Sequence, residues 1–148
     1  MGNLKNNGFT FIDFIYINEH EIAKYQPLAG SFAVIKCDHK YLLCYNNWRE
    51  QWELPAGQRE DNETPKECAM RELYEETGQI VTNLEFKGLM KVENTTNRKI
   101  KYNPVYFSTI NKLQPFIANE ETSEIRLWSR DEQIGSVDRV DIKLLDYV

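Results

Sequence analysis

Gly57-Gln-Arg-Glu-Asp-Asn-Glu63-Thr-Pro-Lys-Glu-Cys-Ala-Met-Arg71-Glu-Leu-Tyr-Glu-Glu-Thr-Gly78 carries the sharpest local signals in the chain. Thr64 at the N-cap, Pro65 at the first helical position and Glu67 at the third make a capping box with the favoured proline. Gly78 supplies the left-handed residue that ends a helix, so the spacing predicts a helix over residues 64–77. A helical wheel groups Ala69, Met70, Leu73 and Tyr74 as the face expected to pack on a sheet. Glu72, Glu75 and Glu76, at i, i+3 and i+4, share a separate arc of roughly 100°.

Three carboxylates on one arc are unfavourable in an isolated helix. Like charges at these spacings cost about 0.2–0.5 kcal/mol each, and the last turn disfavours anions. A solvated face would intersperse Lys or Arg at i+4, and the sequence offers no partner cation there. A hard divalent ion would supply it: Mg²⁺ or Mn²⁺ prefers oxygen ligands and joins a few carboxylates to substrate phosphates. The carbonyl of Gly57 is an expected further ligand, since glycine lets backbone approach a bound group. The other reading of the three glutamates is a structural acidic face.

Working outward, Phe9–Ile17 reads as a strand, followed by a polar link ending at Pro27 and Gly30. Ser31–Cys37 and Tyr41–Tyr45 flank a short polar turn and read as a hairpin. A loop over 46–51 leads to the extended Trp52–Pro55. Beyond the helix, strands are expected at Leu84–Val92, Lys101–Ile110 and Glu124–Trp128, with a closing helix from about Val137 to Tyr147. With no repeat or linker, residues 1–148 read as one domain of the α/β (α+β) class, a mixed sheet packed between helices.

The 148 residues hold 18 Lys and Arg against 23 Asp and Glu, a net −5. The segment 57–78 alone holds seven acids and three bases, a net −4. No apolar run approaches the roughly 18–20 residues that span a bilayer, so no membrane partner is expected. Asp13 interrupts the most apolar early stretch, which argues for a strand and against a secretory leader. Without a Lys/Arg stripe, a nucleic-acid scaffold is not expected either. Cys37, Cys44 and Cys68 lack metal or disulfide spacing and read as buried thiols of a reducing, cytoplasmic setting. His20 and His39 read as solvated.

Gly57, Glu63, Arg71, Glu72, Glu75, Glu76 and Gly78 at this spacing resemble the Nudix box, G-x5-E-x7-R-E-U-x-E-E-x-G-U. Chance would produce the seven fixed positions on the order of once in 10⁶–10⁷ sequences of this length. Trp52–Gly57 is similar to the strand that enters the box and Tyr41-Leu-Leu to the strand before it. The C-terminal third agrees in element order only. Two positions depart: Gln79 stands at the final aliphatic position, so the exit from the helix is expected to pack differently, and Ala56 replaces the more frequent glycine.

The resemblance implies a Nudix-like sandwich and Mg²⁺-dependent hydrolysis of a nucleoside diphosphate linked to another group. Metal-activated water would attack phosphorus. It implies Glu72, Glu75, Glu76 and the Gly57 carbonyl as metal ligands, with Glu75 or Glu76 as proton acceptor. Glu63 either holds a further ion or orients Arg71, itself a structural ion-pair partner. Many Nudix enzymes take another carboxylate from a late loop, here Glu120 or Glu121 ahead of Glu124. Tyr45, Trp48 and Trp52 are candidates to stack on a base, with a core role as the alternative. Arg98, Lys99 and Lys101 form a basic cluster that either reaches a terminal phosphate or is solvated. The proline that ADP-ribose hydrolases carry after the box is missing, which favours a nucleoside triphosphate or nucleotide-sugar-like substrate. A non-catalytic nucleotide sensor is the alternative function, and a homodimer is compatible with either.

Overall fold

The structure is a computed structural model that describes residues 5–6 and 8–148. β1 (Lys5–Asn6), β2 (Phe9–Ile15), β3 (Ser31–Cys37), β4 (Lys40–Asn46), β5 (Gln51–Glu53) and β6 (Ala56–Gly57) precede the helix α1 (Pro65–Thr77). β7 (Glu85–Asn94), β8 (Ile100–Ile110), β9 (Thr122–Trp128) and the helix α2 (Arg139–Leu144) follow it. The nine strands form one mixed sheet in the order β1-β2-β7-β8-β3-β4-β5, with β6 on β3 and β9 on β4. β3 and β8 run parallel, Phe32 opposite Val105 through Cys37 opposite Ile110; the other named strand pairings are antiparallel.

β3 shows why the sheet is covered on both sides. Its residues Phe32-Ala-Val-Ile35 are apolar without alternation, as a central strand requires. Ala33 and Ile35 pack with Ala69 and Leu73 of α1, whereas Phe32 and Val34 belong to the opposite core with Val140 and Leu144 of α2. The sheet therefore lies between the two helices, as expected for the fold class.

β3 and β4 pair only at their hairpin end, Lys36 with Tyr41 and Cys37 with Lys40. Beyond that point β4 turns to β9 and β5, and the opened edge of β3 takes β6 instead. Pro55, whose carbonyl accepts from Ala33 N at 3.0 Å, marks the entry of the chain into this split. The split delivers Gly57 under α1. Gly30 lets it arrive, because a Cβ there would overlap the Gly57 carbonyl.

The structure differs from the sequence reading at three ends. The first long strand stops at Ile15, and the polar link contains a 3-10 helix over Glu19–Lys24, closed by reciprocal capping between Asn18 and Glu21. The extended piece at Trp52–Pro55 divides into β5 and β6 around Pro55, which has no N–H for a ladder. The closing helix is only Arg139–Leu144, because Asp138 caps it by accepting from Val140 N and Asp141 N.

Candidate functional site

α1 is capped as its sequence dictates. Thr64 accepts from Glu67 N at 3.1 Å, Glu67 accepts from Thr64 N at 2.9 Å, and Gly78 closes the helix at φ 81. Its buried face is rotated from the expected one. Cys68, Ala69, Leu73, Glu76 and Thr77 are buried, while Tyr74 is 45% exposed. The geometry explains the correction: seven residues at about 100° each bring Glu76 within about 20° of Ala69. Glu76 thus lies on the core stripe and Tyr74 does not.

Each box carboxylate has its own anchor. Glu76 accepts from Ala56 N at 3.0 Å and from Cys44 Sγ at 3.8 Å. Burial first, then the nearby carboxylates of Glu121 and Glu72, push its carboxyl well above the usual range. Glu72 is pressed against Gly57 Cα, where an added Cβ would overlap its carboxylate. Burial raises its carboxyl despite the Arg71 guanidinium at 2.9 Å. Glu75, 54% exposed, receives the same guanidinium at 3.2 Å.

Arg71 corrects the expectation that the sequence supplies no cation for the cluster. It reaches Glu72 and Glu75 as well as Glu63, but no cation pairs with Glu76 among the described residues. Nε and Nη2 of Arg71 donate to the two Glu63 oxygens at 2.6 and 3.0 Å, and Nη2 also donates to Gln58 O at 2.8 Å. Arg71 holds the Glu63 carboxyl below the usual range. Glu63 is therefore engaged in orienting Arg71 and in pinning its own loop through Glu60 N.

The late loop is tied to the end of α1 by Gln79, where the departure from the box predicted a different packing, and by Asn119, which the sequence did not mark. Gln79 is fully buried; its amide donates to Gln114 O at 2.8 Å and accepts from Gln114 N at 2.7 Å. Ile80, the nearest aliphatic, is instead 62% exposed. Asn119 Nδ2 donates to Glu75 O at 2.9 Å, and Asn119 Oδ1 accepts from Glu121 N and Thr122 N. Of the two late-loop candidates, Glu121 turns inward. Asn46 Nδ2 donates to it at 3.0 Å, and burial with the repulsion of Glu53 and Glu75 raises its carboxyl against the pull of Arg49. Glu120 is exposed and uses only its backbone carbonyl, which accepts from Asn47. Glu124 is exposed on β9 opposite Tyr45.

Sequence reasoning missed Glu53. It is 7% exposed and accepts from Arg49 at 2.7 and 2.9 Å, Asn46 at 3.2 Å and Gln51 at 2.7 Å. Asn46 Nδ2 is shared between Glu53 and Glu121, so this buried acid braces the late-loop carboxylate. A charged residue between Trp52 and Leu54 was the available signal, because a buried charge must be paired.

Other expectations are redistributed. The Gly57 oxygen accepts from Cys68 Sγ at 3.2 Å and packs on Gly30, so it faces the seam between β3 and α1. Gly57 offers Glu72 a bare Cα and not a carbonyl. Trp52 is a core residue in edge contact with Tyr45, and Trp48 is 68% exposed. None of the three lines the cavity below. Arg98 pairs with Glu93 at 2.9 Å and Lys99 is exposed, whereas Lys101 turns inward.

That cavity, about 170 Å³, opens on the α2 side of the sheet between Phe9, Phe32, Met90 and Val92, with Asn103 and Asp138 among its polar groups. Burial raises the Asp138 carboxyl to about 6, and burial beside Asp138 raises that of Asp141. Among the described residues no three His, Cys, Asp or Glu side chains are gathered tightly enough to cage an ion. The donor set nevertheless suits a hard divalent cation that retains waters and shares substrate oxygens: all oxygen, anionic, and mutually repelling.

A family model described as NUDIX domain matches residues 24–146. Bacillus subtilis YtkD, provisionally named an 8-oxo-dGTP diphosphatase, is 33% identical over 93 residues, 60% of this chain and 57% of that protein. The match thus spans little more than half the length of that relative. The crystal structure of the Bacillus subtilis pyrophosphohydrolase BsRppH superposes with a TM-score of 0.69 at 24% identity, covering 91% of this chain and 85% of that one. A MutT NUDIX hydrolase from Burkholderia pseudomallei gives a TM-score of 0.70 at 20% identity, covering 83% and 98%.

Proposed function

Because this chain belongs to the NUDIX family, we propose that it is a pyrophosphohydrolase dependent on Mg²⁺, with Mn²⁺ as a substitute. Its substrate is a nucleoside diphosphate linked to another group, with a nucleoside triphosphate or nucleotide sugar favoured. The observation that carries the reading is the convergence of Glu121, from a loop more than forty residues later, on Glu72, Glu75 and Glu76 of α1. Four mutually repelling carboxylates, with Arg71 on Glu72 and Glu75 and Arg49 4.0 Å from Glu121, cost free energy in the metal-free fold, and a polyphosphate with its cation relieves it.

Glu72, Glu75, Glu76 and Glu121 would hold the cation. When bound, a divalent cation neutralises phosphate charge and acidifies a coordinated water. Arg71, held by Glu63, keeps Glu72 and Glu75 on one side of the helix. Glu75 and Glu121, 54% and 31% exposed, are the carboxylates that a water reaches to deliver its proton. Glu76 is anchored by a backbone N–H and holds its position. The cavity between β2, β3 and β7, walled by Phe9, Phe32, Met90, Val92 and Val140 with Asn103 and Asp138 as polar partners, suits a flat heterocycle.

The test is a panel of nucleoside di- and triphosphates, nucleotide sugars and capped RNA, with products identified by mass. Release that requires Mg²⁺ and falls by orders of magnitude in Glu76→Gln is expected. Tight nucleotide binding without any metal-dependent release would instead identify a sensor.

A further inference from the structure

Two neighbouring cavities share one wall residue, Lys101 of β8. The first is the apolar cavity of about 170 Å³ just described. The second, about 230 Å³, lies between Ala29, Gly30, Gln58 and Arg59. Gln58 directly follows Gly57, whose Cα carries the Glu72 carboxylate and whose oxygen packs on Gly30. The second cavity thus adjoins the box loop at Gln58, whose carbonyl accepts from Arg71, the residue that also holds Glu72 and Glu75.

Lys101 is half-buried, and burial lowers the basicity of its amine. Its Nζ stands 4.0 Å from the centre of the Phe9 ring. Among the described residues no carboxylate pairs with it, and the remaining residues, 1–4 and 7, include no acid. Asp138 and Asp141 line the same cavity but neither stands within ion-pair distance of Lys101, and one aromatic face compensates only part of the cost of drawing the amine inward. Arg59 likewise has no ion-pair partner within 4.0 Å, although it lies close enough to Glu63 to be felt there. Among the described residues, two cations that form no ion pair within 4.0 Å therefore border one cavity in a protein of net charge −5.

We propose that Lys101, assisted by Arg59, binds the phosphate next to the nucleoside, between a base in the apolar cavity and the scissile linkage at the carboxylates. This rests on the pyrophosphohydrolase reading and deepens it. The cation at the carboxylates serves the bond that breaks. Lys101 serves the part of the substrate that every nucleotide shares, so recognition at this point is independent of the leaving group and of the metal.

Calorimetry in EDTA with AMP, GMP, CMP and UMP, each beside its nucleoside, tests the site without any turnover. Lys101→Gln is expected to weaken the best-bound monophosphate about 10- to 100-fold, the size of one charge-assisted hydrogen bond, and to leave its nucleoside unchanged. Lys101→Arg should retain most of the affinity. Arg59→Gln, at an exposed position that does not threaten folding, should weaken the same ligand by a smaller factor. In Mg²⁺, Lys101→Gln should raise KM with kcat nearly constant. Equal monophosphate binding by Lys101→Gln and wild type would overturn the proposal, as would an equal loss for nucleoside and monophosphate. Failure of the catalytic reading is separable: it would appear as Lys101-dependent monophosphate binding with no hydrolysis in Mg²⁺.

Discussion

The Glu72 carboxylate occupies the volume that a side chain on Gly57 would need. The glycine that opens the box and the first of the three glutamates Glu72, Glu75 and Glu76 are therefore one steric unit. Gly57→Ala should displace Glu72, whose flexible end can yield, so the fold survives at a cost of about 1–3 kcal/mol. Activity should fall about 100-fold, as for a reacting group moved by about 1 Å. Urea unfolding and kcat measured on the same preparation check both halves.

Glu76 is buried without a cation, so Glu76→Gln should oppose stability and activity. The glutamine oxygen keeps the hydrogen bond from Ala56 N while the buried charge is removed. We expect the metal-free protein to gain on the order of 1 kcal/mol while kcat drops about 10³-fold. Thermal melts in EDTA and turnover in Mg²⁺ provide the two readouts. A less stable variant would contradict the burial argument.

Burial raises the carboxyls of Glu72, Glu76, Glu121, Asp138 and Asp141, with Asp138 at about 6. A carboxyl raised in the folded state takes up its proton more readily there. Its stabilising share is complete below the unfolded pKa and is lost as pH climbs through the folded one. Glu63, lowered by Arg71, acts oppositely and loses its share in acid. The metal-free melting temperature should thus rise as pH falls from 8 to about 4.5 and fall again in stronger acid. Mg²⁺ should lift the alkaline limb most, because it binds the charged carboxylates. Scanning fluorimetry across pH, with and without Mg²⁺, tests the shape.

Gln79→Leu restores an aliphatic residue at the end of the box and should nevertheless destabilise. Gln114 N–H would lose its acceptor and Gln114 O its donor across a partly buried seam, a cost of about 1 kcal/mol. The loop that carries Glu121 would loosen with it, so activity should fall more than stability predicts. Denaturant midpoints and KM for Mg²⁺ distinguish the two effects.

The helix and its caps were legible because capping is local: Thr64, Pro65, Glu67 and Gly78 act within one turn of themselves. The strands followed from aromatic and β-branched runs bounded by turn residues, and the mixed sheet between helices from the succession of those elements. Three things were not legible. The split between β3 and β4 depends on which edges meet, and the sequence carries no register. Glu121 could not be told from Glu120, since the choice is made by Asn46 and Asn119 from other elements. The roles of Trp52 and Lys101 were assigned by depth, which one strand shows only after its neighbours are in place. The wheel erred at Tyr74 because residue type was followed there in preference to angle.

β3 meets β8 in parallel, and parallel neighbours cannot be joined by a tight turn. The connection between them, residues 38–99, contains the entire acidic box. The full set of four carboxylates includes Glu121, which follows β8, so completing the site belongs among the slow, non-local steps of folding. A divalent cation that recognises only the finished site would leave the early ascent of the folding barrier untouched. It would act by slowing escape from the native basin, making the protein longer-lived without making it faster to form.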